Sequence, residues 1–468
     1  IPIISKDLSI IGVIDGNNTN PSSESISKNV CIIGMGYVGL TLSLVMAESG
    51  FNVIGYDKDT NVVNKLRKHK STFYENGIQT YISRYVNKEL KIVNDIKKVN
   101  SDIFIISVGT PLEKKSEIPN IRYIVEVIDK LAEIVKKDDL IILRSTVKVG
   151  TTNNIVLPIL KKTKKDFYLV YCPERAIEGS ALKELKNLPQ VIGGINQKSI
   201  NMAKQLFKKI TKKIIITSNV ETAEMIKLID NSSRDLFFAY ANEVAKACDA
   251  VGISASEVIS SGKYGYSRTK VAKPGLVGGA CLHKDPHIYS QSLNRYGVRA
   301  EITLMGRKIN ENQPTDVANF INKLTKRIKN FPNNSKISLI GLAFKGKPIT
   351  DDLRDSMAIK FFSALKKKFK KSKFYGYDPV VKKNNIKKLG LKNDYNLNNS
   401  FSGKNLVVIL NNHKIFTNMM IERLAKKLKK PAIIYDFWNH FNADRLKLPK
   451  NVEYISLGNH YKSKYFRR

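Results

Sequence analysis

The segment GMGYVG sets Gly34, Gly36 and Gly39 at GxGxxG spacing, with Tyr37 and Val38 between the last two glycines, after an apolar run and at the start of a helical pattern. Such a turn suits a pyrophosphate. The first glycine permits the bend, the second lets phosphate approach the backbone, and the third lets helix pack on strand, while the helix N-terminus favours negative charge. Asp57 closes the next apolar run, where a carboxylate can take the hydroxyls of a ribose. It would repel a 2′-phosphate, so the expected cofactor is NAD rather than NADP; the adjacent Lys58 could offset that repulsion.

Other residues could act on a bound ligand. GGACLHKD places Cys281 behind two glycines and ahead of Lys284 and Asp285. Lys227, Asn231 and Arg234 follow i, i+4, i+7 spacing, with Glu224 one turn earlier, so they share a helix face. Spacing alone equally describes a solvated stripe. CPERAIEG puts Glu174 and Glu178 just past the carboxyl end of an apolar run, where open α/β sheets bind ligands. Its bland alternative is a turn followed by a helix start. Cys31 and Cys248 read as small buried hydrophobes, and Cys172 as packing beneath the Glu174 loop.

The elements that must position these groups are legible as a pattern. Residues 29–59 run from strand through glycine turn and helix into a second strand, and further strands are expected at 102–109, 139–146, 166–173 and 213–218, with helical intervals. That alternation predicts a doubly wound parallel sheet. From Glu221 to about Ala250 the recurrence of Ile226, Ile229, Phe237, Val244 and Cys248 predicts one long helix, with helical patterns continuing to about Leu324. After the turn-rich NFPNNS, strands return at KISLIGLAF, KFYGYDP, LVVIL and AIIYDF. The expected fold is α/β: two Rossmann-like doubly wound domains, 29–218 and 330–468, joined by a central helical domain, 219–329. The polar residues 1–28 are expected to be a loosely attached extension.

In the 468 residues, 42% hydrophobic content excludes wholesale disorder. Four scattered cysteines make no disulfide framework, which points to a reducing, cytoplasmic setting. No apolar run is long enough to span a bilayer and no signal-peptide pattern opens the sequence, so no membrane partner is expected. Seventy-nine Lys and Arg against 41 Asp and Glu leave +38. The lysines come as short dispersed groups without a nucleic-acid-binding motif, so a generally basic surface suited to anionic substrates is expected rather than a nucleic-acid partner.

Taken together, GMGYVGL, SVGTP, STVKVGTT, CPERAIEGSALKEL, EMIKLIDNSSRDLFFAYANE, PGLVGGACLHKDP and GLAFKGKPITDDLRDS resemble, in order, the motifs of the UDP-glucose/GDP-mannose dehydrogenase family. The resemblance runs from about residue 29 to 440. It implies oxidation of a nucleotide-sugar C6 alcohol to a carboxylate with two NAD, through a thiohemiacetal and thioester on Cys281. Lys227 would stabilise oxyanions at C6 and Asn231 orient the same group or its water. Asp285 and Thr146 would position water, and Glu174 would serve as acid/base or substrate anchor. Lys284, Thr110 and Thr146 would line the cofactor.

Arg175, Glu178, Arg234 and Gly278 fall in the family's substrate-binding motifs. Lys345 and Arg354 would reach UDP, and Arg268 a neighbouring subunit's substrate, since the long helix is the family's dimerisation element and a homodimer is implied. The pattern is most similar to the UDP-N-acetylhexosamine branch, with UDP-N-acetylmannosamine first, UDP-N-acetylglucosamine next and UDP-glucose after, the uronate feeding surface-glycan synthesis. A two-electron β-hydroxyacid dehydrogenase would need neither the cysteine nor the third domain. A basic scaffold with a vestigial cofactor fold would not need Cys281, Lys227, Asn231 and Asp285 intact.

Overall fold

A computed structural model describes residues 12–15, 27–113 and 117–466, and the chain forms two compact units. Among the described residues, one unit comprises those up to Asn231 together with His287–Arg299; the other comprises Ser232–Pro286 and those from Ala300 onward.

The first unit carries a nine-stranded sheet in the order Gly12–Asp15, Lys213–Ile216, Gln190–Gly194, Tyr168–Tyr171, Leu140–Leu143, Ile103–Ile106, Asn29–Ile33, Asn52–Tyr56, Leu90–Val93. From Leu90–Val93 to Tyr168–Tyr171 every neighbouring pair is parallel, and by chain order among those six the arrangement is 3-2-1-4-5-6, that of a dinucleotide-binding fold. The central strands Ile103–Ile106 and Leu140–Leu143 are apolar and buried at every position because both faces are covered. Val30, Ile32, Ile103 and Ile105 enter one core cluster and Cys31, Ile33, Phe104 and Ile106 the other, the period-2 alternation of a doubly wound sheet.

The sheet departs from the expected all-parallel form at two places. Gln190–Gly194 pairs antiparallel with Tyr168–Tyr171, and Gly12–Asp15 pairs antiparallel with Lys213–Ile216. Periodicity identifies strands but carries no direction. Gly12–Asp15 falls within the expected loose extension; the rest of that extension up to residue 26 lies outside the described residues.

The expected long helix spans Val220–Val251, uninterrupted by Gly or Pro. It ends in a Schellman motif: Gly252 has φ +86°, and the Ile253 N–H donates to the Cys248 carbonyl at 3.0 Å. Its buried face includes Glu224, Lys227, Leu228, Asn231 and Asp235, whereas Ile229 and Phe237, expected in the apolar stripe, are 44% and 54% exposed.

The second unit carries a six-stranded, all-parallel sheet in the order Lys392–Asn393, Lys373–Tyr377, Lys336–Ile340, Leu406–Ile409, Ala432–Asp436, Val452–Ser456, again 3-2-1-4-5-6. The helix Glu301–Arg327 precedes it. Among the described residues no helix is long and apolar enough to cross a membrane.

Candidate active site

In the first unit, the crevice where the strand order reverses is lined by Gly34, Gly36, Asp57, Lys58, Ser107, Val108, Gly109, Tyr123, Glu126 and Lys130, around a cavity of about 240 Å³. Gly34 takes φ +95°, a conformation costly to other residues. A Cβ at Gly39 would sit 1.7 Å from the Gly34 carbonyl oxygen, so helix and turn meet there without a side chain; at Gly36 a Cβ would meet nothing within 4 Å, leaving room for phosphate. Asp57 Oδ2 accepts from the Met35 N–H at 2.8 Å, and Oδ1 from Asp59 N–H at 2.9 Å, so the carboxylate is fixed at the lip of the turn. Lys58 Nζ lies 3.3 Å from Glu126 Oε2 and 4.3 Å from the Tyr123 ring centroid, so its charge is matched within the crevice. These residues fit a dinucleotide. Tyr37 turns elsewhere: its hydroxyl donates to buried Glu75, and both oxygens accept the Gly179 N–H, at 2.8 and 2.7 Å, which ties the glycine turn to the CPERAIEG loop. Burial and then Glu75 push the Tyr37 phenol up. Val38 is half-buried.

That loop is organised by a residue the sequence reading missed. Arg144 ends the apolar strand Leu140–Leu143 and is buried; its Nη2 lies 2.8 Å from Glu174 Oε2, and its Nη1 donates to the Cys172 carbonyl and to Gln190 Oε1, both at 3.1 Å. Glu174 Oε1 accepts the N–H groups of Arg175 and Ala176 at 2.8 and 2.7 Å. Burial alone would raise the Glu174 pKa, but the Arg144 charge, these N–H groups and the Lys227 charge hold it below the usual carboxylate range. Glu174 is therefore a fixed anion, which favours an anchor over a proton donor. Arg175 Nε pairs with Asp230 at 2.8 Å, and Glu178 is half-buried, its charge acting on Tyr37. Cys172 is buried beneath the loop, its thiol pushed up to about 11 by burial.

The solvated-stripe alternative fails for Lys227 and Asn231, which are 9% and 6% exposed, and holds for Arg234, which is exposed. One turn before Lys227, Glu224 accepts from Thr152 N–H and Oγ at 2.9 and 2.7 Å and from Gly150 N–H. This joins the helix to the STVKVGTT segment. In that segment the Thr146 carbonyl accepts from Thr110 Oγ at 2.7 Å, so these two expected site residues are together.

In the second unit, Cys281 is the exposed member of the four cysteines. It sits on a turn whose carbonyl, that of Cys281 itself, accepts the N–H groups of Lys284 and Asp285 at 3.2 and 2.9 Å, starting the helix Asp285–Asn294. Asp285 is fully buried and its Oδ1 is 3.3 Å from Lys284 Nζ. Both glycines are close approaches: a Cβ at Gly278 would lie 2.6 Å from the Asp355 carbonyl, and at Gly279 (φ +94°) 2.5 Å from the Phe344 ring. Buried Arg307 grips both sides of the turn, donating to the Leu282 carbonyl at 3.0 Å and the Val277 carbonyl at 3.1 Å while pairing with Asp235 at 2.6 Å. Asn242 holds Gly275 through both its backbone groups, at 2.9 and 3.1 Å. The thiol thus stands exposed on a rigid base.

Arg354 is 62% exposed along its side chain and folds onto Asp352 of its own loop, Nη2 to Oδ2 2.6 Å. Lys345 is half-buried with Nζ 5.2 Å from the Phe344 ring, and Arg268 is exposed against Tyr266. Asp378 repeats the placement of Asp57, accepting the N–H groups of Leu342 and Ala343 at 2.7 and 3.0 Å after the first strand of its sheet. Larger cavities of about 780 and 1320 Å³, both bordered by Lys246, Asp249, Phe320 and His460, contain none of the expected site residues.

Three family models match in succession: the NAD binding domain of the UDP-glucose/GDP-mannose dehydrogenase family over residues 28–211, its central domain over 221–312 and its UDP binding domain over 338–443. A UDP-N-acetyl-D-mannosamine dehydrogenase of Methanocaldococcus jannaschii is 33% identical over 441 residues, covering 91% of this chain and 96% of that protein. One from Campylobacter jejuni is 32% identical over 416 residues, 85% and 98% of the two chains. The solved structure of a UDP-D-ManNAc dehydrogenase from Pyrococcus horikoshii superposes with a TM-score of 0.80 at 30% identity, over 92% of this chain and 99% of that one. The fold, the cofactor crevice and these matches agree: the chain belongs to the UDP-glucose/GDP-mannose dehydrogenase family and is an NAD-dependent UDP-sugar oxidoreductase.

Proposed function

We propose that the chain oxidises the C6 alcohol of UDP-N-acetyl-D-mannosamine to the corresponding uronate. The observation that carries the chemistry is Cys281, an exposed thiol on a turn clamped from both sides by Arg307. The choice of sugar is supported by the substrate named for the curated relatives. UDP-N-acetylglucosamine and UDP-glucose are the alternatives.

NAD accepts a hydride, so oxidation of an alcohol to a carboxylate consumes two equivalents. An aldehyde has no electron pair to expel hydride, and the chain must first make its carbon tetrahedral. The Cys281 thiolate adds to the aldehyde carbon, forming a C–S bond and an oxyanion. Loss of the remaining C6 hydride leaves a thioester. Water then attacks, the C–S bond breaks, and carboxylate and thiol are released. Lys227 offers its charge to the C6 oxyanions and Asn231 orients the same group or its water. Asp285 and Thr146 position water, and Glu174, held ionised, anchors substrate with Arg175, Glu178, Arg234 and Gly278.

Gly34, Gly36, Gly39 and Asp57 would hold NAD, with Thr110, Thr146 and Lys284 as further cofactor-binding residues. Lys345 and Arg354 take the diphosphate; for Arg354 this requires exchange of Asp352 for phosphate. A homodimer is supported by the exposed apolar residues Phe237, Tyr240, Ile302 and Met305 on two helices of the second unit. Arg268 is assigned to the partner subunit's substrate. The test incubates purified protein with NAD and a panel of UDP-sugars and counts NADH per sugar consumed: about two is expected, highest for UDP-N-acetylmannosamine. One NADH per sugar with free aldehyde accumulating overturns the thioester route.

A further inference from the structure

His283, two residues after the thiol, belongs to none of the roles above. Its backbone N–H donates to the Gly279 carbonyl at 3.0 Å, and the Gly279 N–H donates to the Asp355 carbonyl at 3.0 Å. Its imidazole extends this tie: Nδ1 lies 3.1 Å from Glu311 Oε1 on the helix Glu301–Arg327, and Nε2 lies 3.8 Å from Asp355 Oδ1. Glu311 is also shared by Arg307 Nε at 3.6 Å and Lys360 Nζ at 3.3 Å. Burial opposes the ionised Glu311 carboxylate, but its bond to His283 and the charges of Lys360 and Arg307 pull its pKa down to about 2. The acceptor facing Nδ1 is therefore a fixed anion, and the same Arg307 that grips Leu282 and Val277 steadies it. Asp355 stands in the loop beside Arg354, so one imidazole connects three parts: the thiol turn, the helix beneath it and the loop expected to meet the diphosphate.

We propose that His283 is a positioning residue for the second oxidation, fixing the Cys281 turn by bridging Glu311 and the Asp355 loop. This rests on the reading of Cys281 as the nucleophile. The role is geometric. Addition of a thiolate to a carbonyl demands a defined approach, and small misplacement of an attacking atom costs rate steeply. The first oxidation, alcohol to aldehyde, does not use the thiol and is insensitive to this tie. Glu311 keeps Arg307 and Lys360 when the imidazole is removed, so its charge stays compensated in the substituted protein.

The UDP-sugar 6-aldehyde separates the two half-reactions, because NADH reduces it back to the alcohol while NAD oxidises it to the uronate. With His283→Ala, oxidation of the aldehyde is expected to fall about tenfold or more while its reduction stays within about twofold of wild type. His283→Asn keeps an amide N–H in the place of Nδ1–H and is expected to restore oxidation to within about threefold. Thermal melting of both variants reports folding directly. Unchanged oxidation by His283→Ala overturns the proposal, as does an equal fall in both half-reactions that Asn fails to restore. Cys281→Ser is the separate control: normal aldehyde oxidation by that variant overturns the thiol reading itself, whatever His283 does.

Discussion

Arg144 Nη2 lies 2.8 Å from Glu174 Oε2, and the arginine side chain has no exposed surface. Each charge is tolerable only because of the other. Replacing Glu174 with Gln leaves a buried guanidinium uncompensated and should cost about 3–5 kcal/mol of stability, measured by urea unfolding at neutral pH. The pH dependence has a definite sign. The folded-state pKa of Glu174 is depressed, so its stabilisation is complete above the unfolded carboxylate value and is lost as pH falls through the lower folded value. Glu174→Gln should flatten the acid limb of the stability curve; an unaltered limb would mean that another pair holds the loop.

Burial separates the cysteines as sharply as chemistry does. Cys31 and Cys172 are raised by burial, as is Cys248, whereas Cys281 is exposed. Iodoacetamide on the native protein should modify Cys281 alone, and all four cysteines after denaturation, as read by peptide mass spectrometry. Cys281→Ser should retain NAD binding yet form no uronate at a useful rate, because a hydroxyl at its ordinary pKa is the poorer nucleophile. Substantial native alkylation of Cys172 would contradict the packing described around Arg144.

Cofactor choice turns on three side chains in one crevice. Asp57 repels a 2′-phosphate, and the adjacent Lys58, which could offset this, is matched by Glu126. Asp57→Ala should weaken NAD binding by about 1.5–3 kcal/mol through loss of a charged acceptor. Glu126→Gln should leave NAD affinity nearly unchanged and raise NADP affinity by releasing Lys58, an exposed pair of small intrinsic strength. Calorimetric titration of both dinucleotides into both variants checks this; equal NAD and NADP affinity in the wild type would remove Asp57 from the ribose.

What could be read from sequence was whatever local spacing encodes. The glycine turn, Asp57, the long helix and the isolated thiol each lie within a few residues of their own explanation. Arg144 has a local trace, a charge closing an all-apolar strand, but its partner is thirty residues away. Arg307 and Asn242 leave no trace: a polar residue on a helix reads as solvated, and their acceptors are carbonyls of a distant loop. The two-residue strand Lys392–Asn393 and the antiparallel Gln190–Gly194 depend on neighbours that periodicity does not specify. Phe237 and Ile229 show the converse failure, since apolar residues at helical spacing stand exposed. Period reports a face, not what covers it.

Glu224 yields a pH effect of opposite sign to Glu174. Fully buried on the face that carries Lys227, it accepts from Thr152 and Gly150, and burial outweighs those donors, raising its carboxyl from 4.5 to about 7. An acid whose folded pKa is raised favours the folded state while protonated, so stability is highest below the unfolded value and declines as pH rises toward the folded one. Over that window the loss should approach about 3 kcal/mol for this group. Glu224→Gln cannot ionise and should abolish that slope. It should also lose about 1–3 kcal/mol at every pH, because its amide N–H₂ must face one of the donors that the carboxylate accepts. The slope of urea-derived stability between pH 5 and pH 8, rather than its absolute value, is therefore the measurement. Identical pH slopes for the two proteins would place the titration elsewhere.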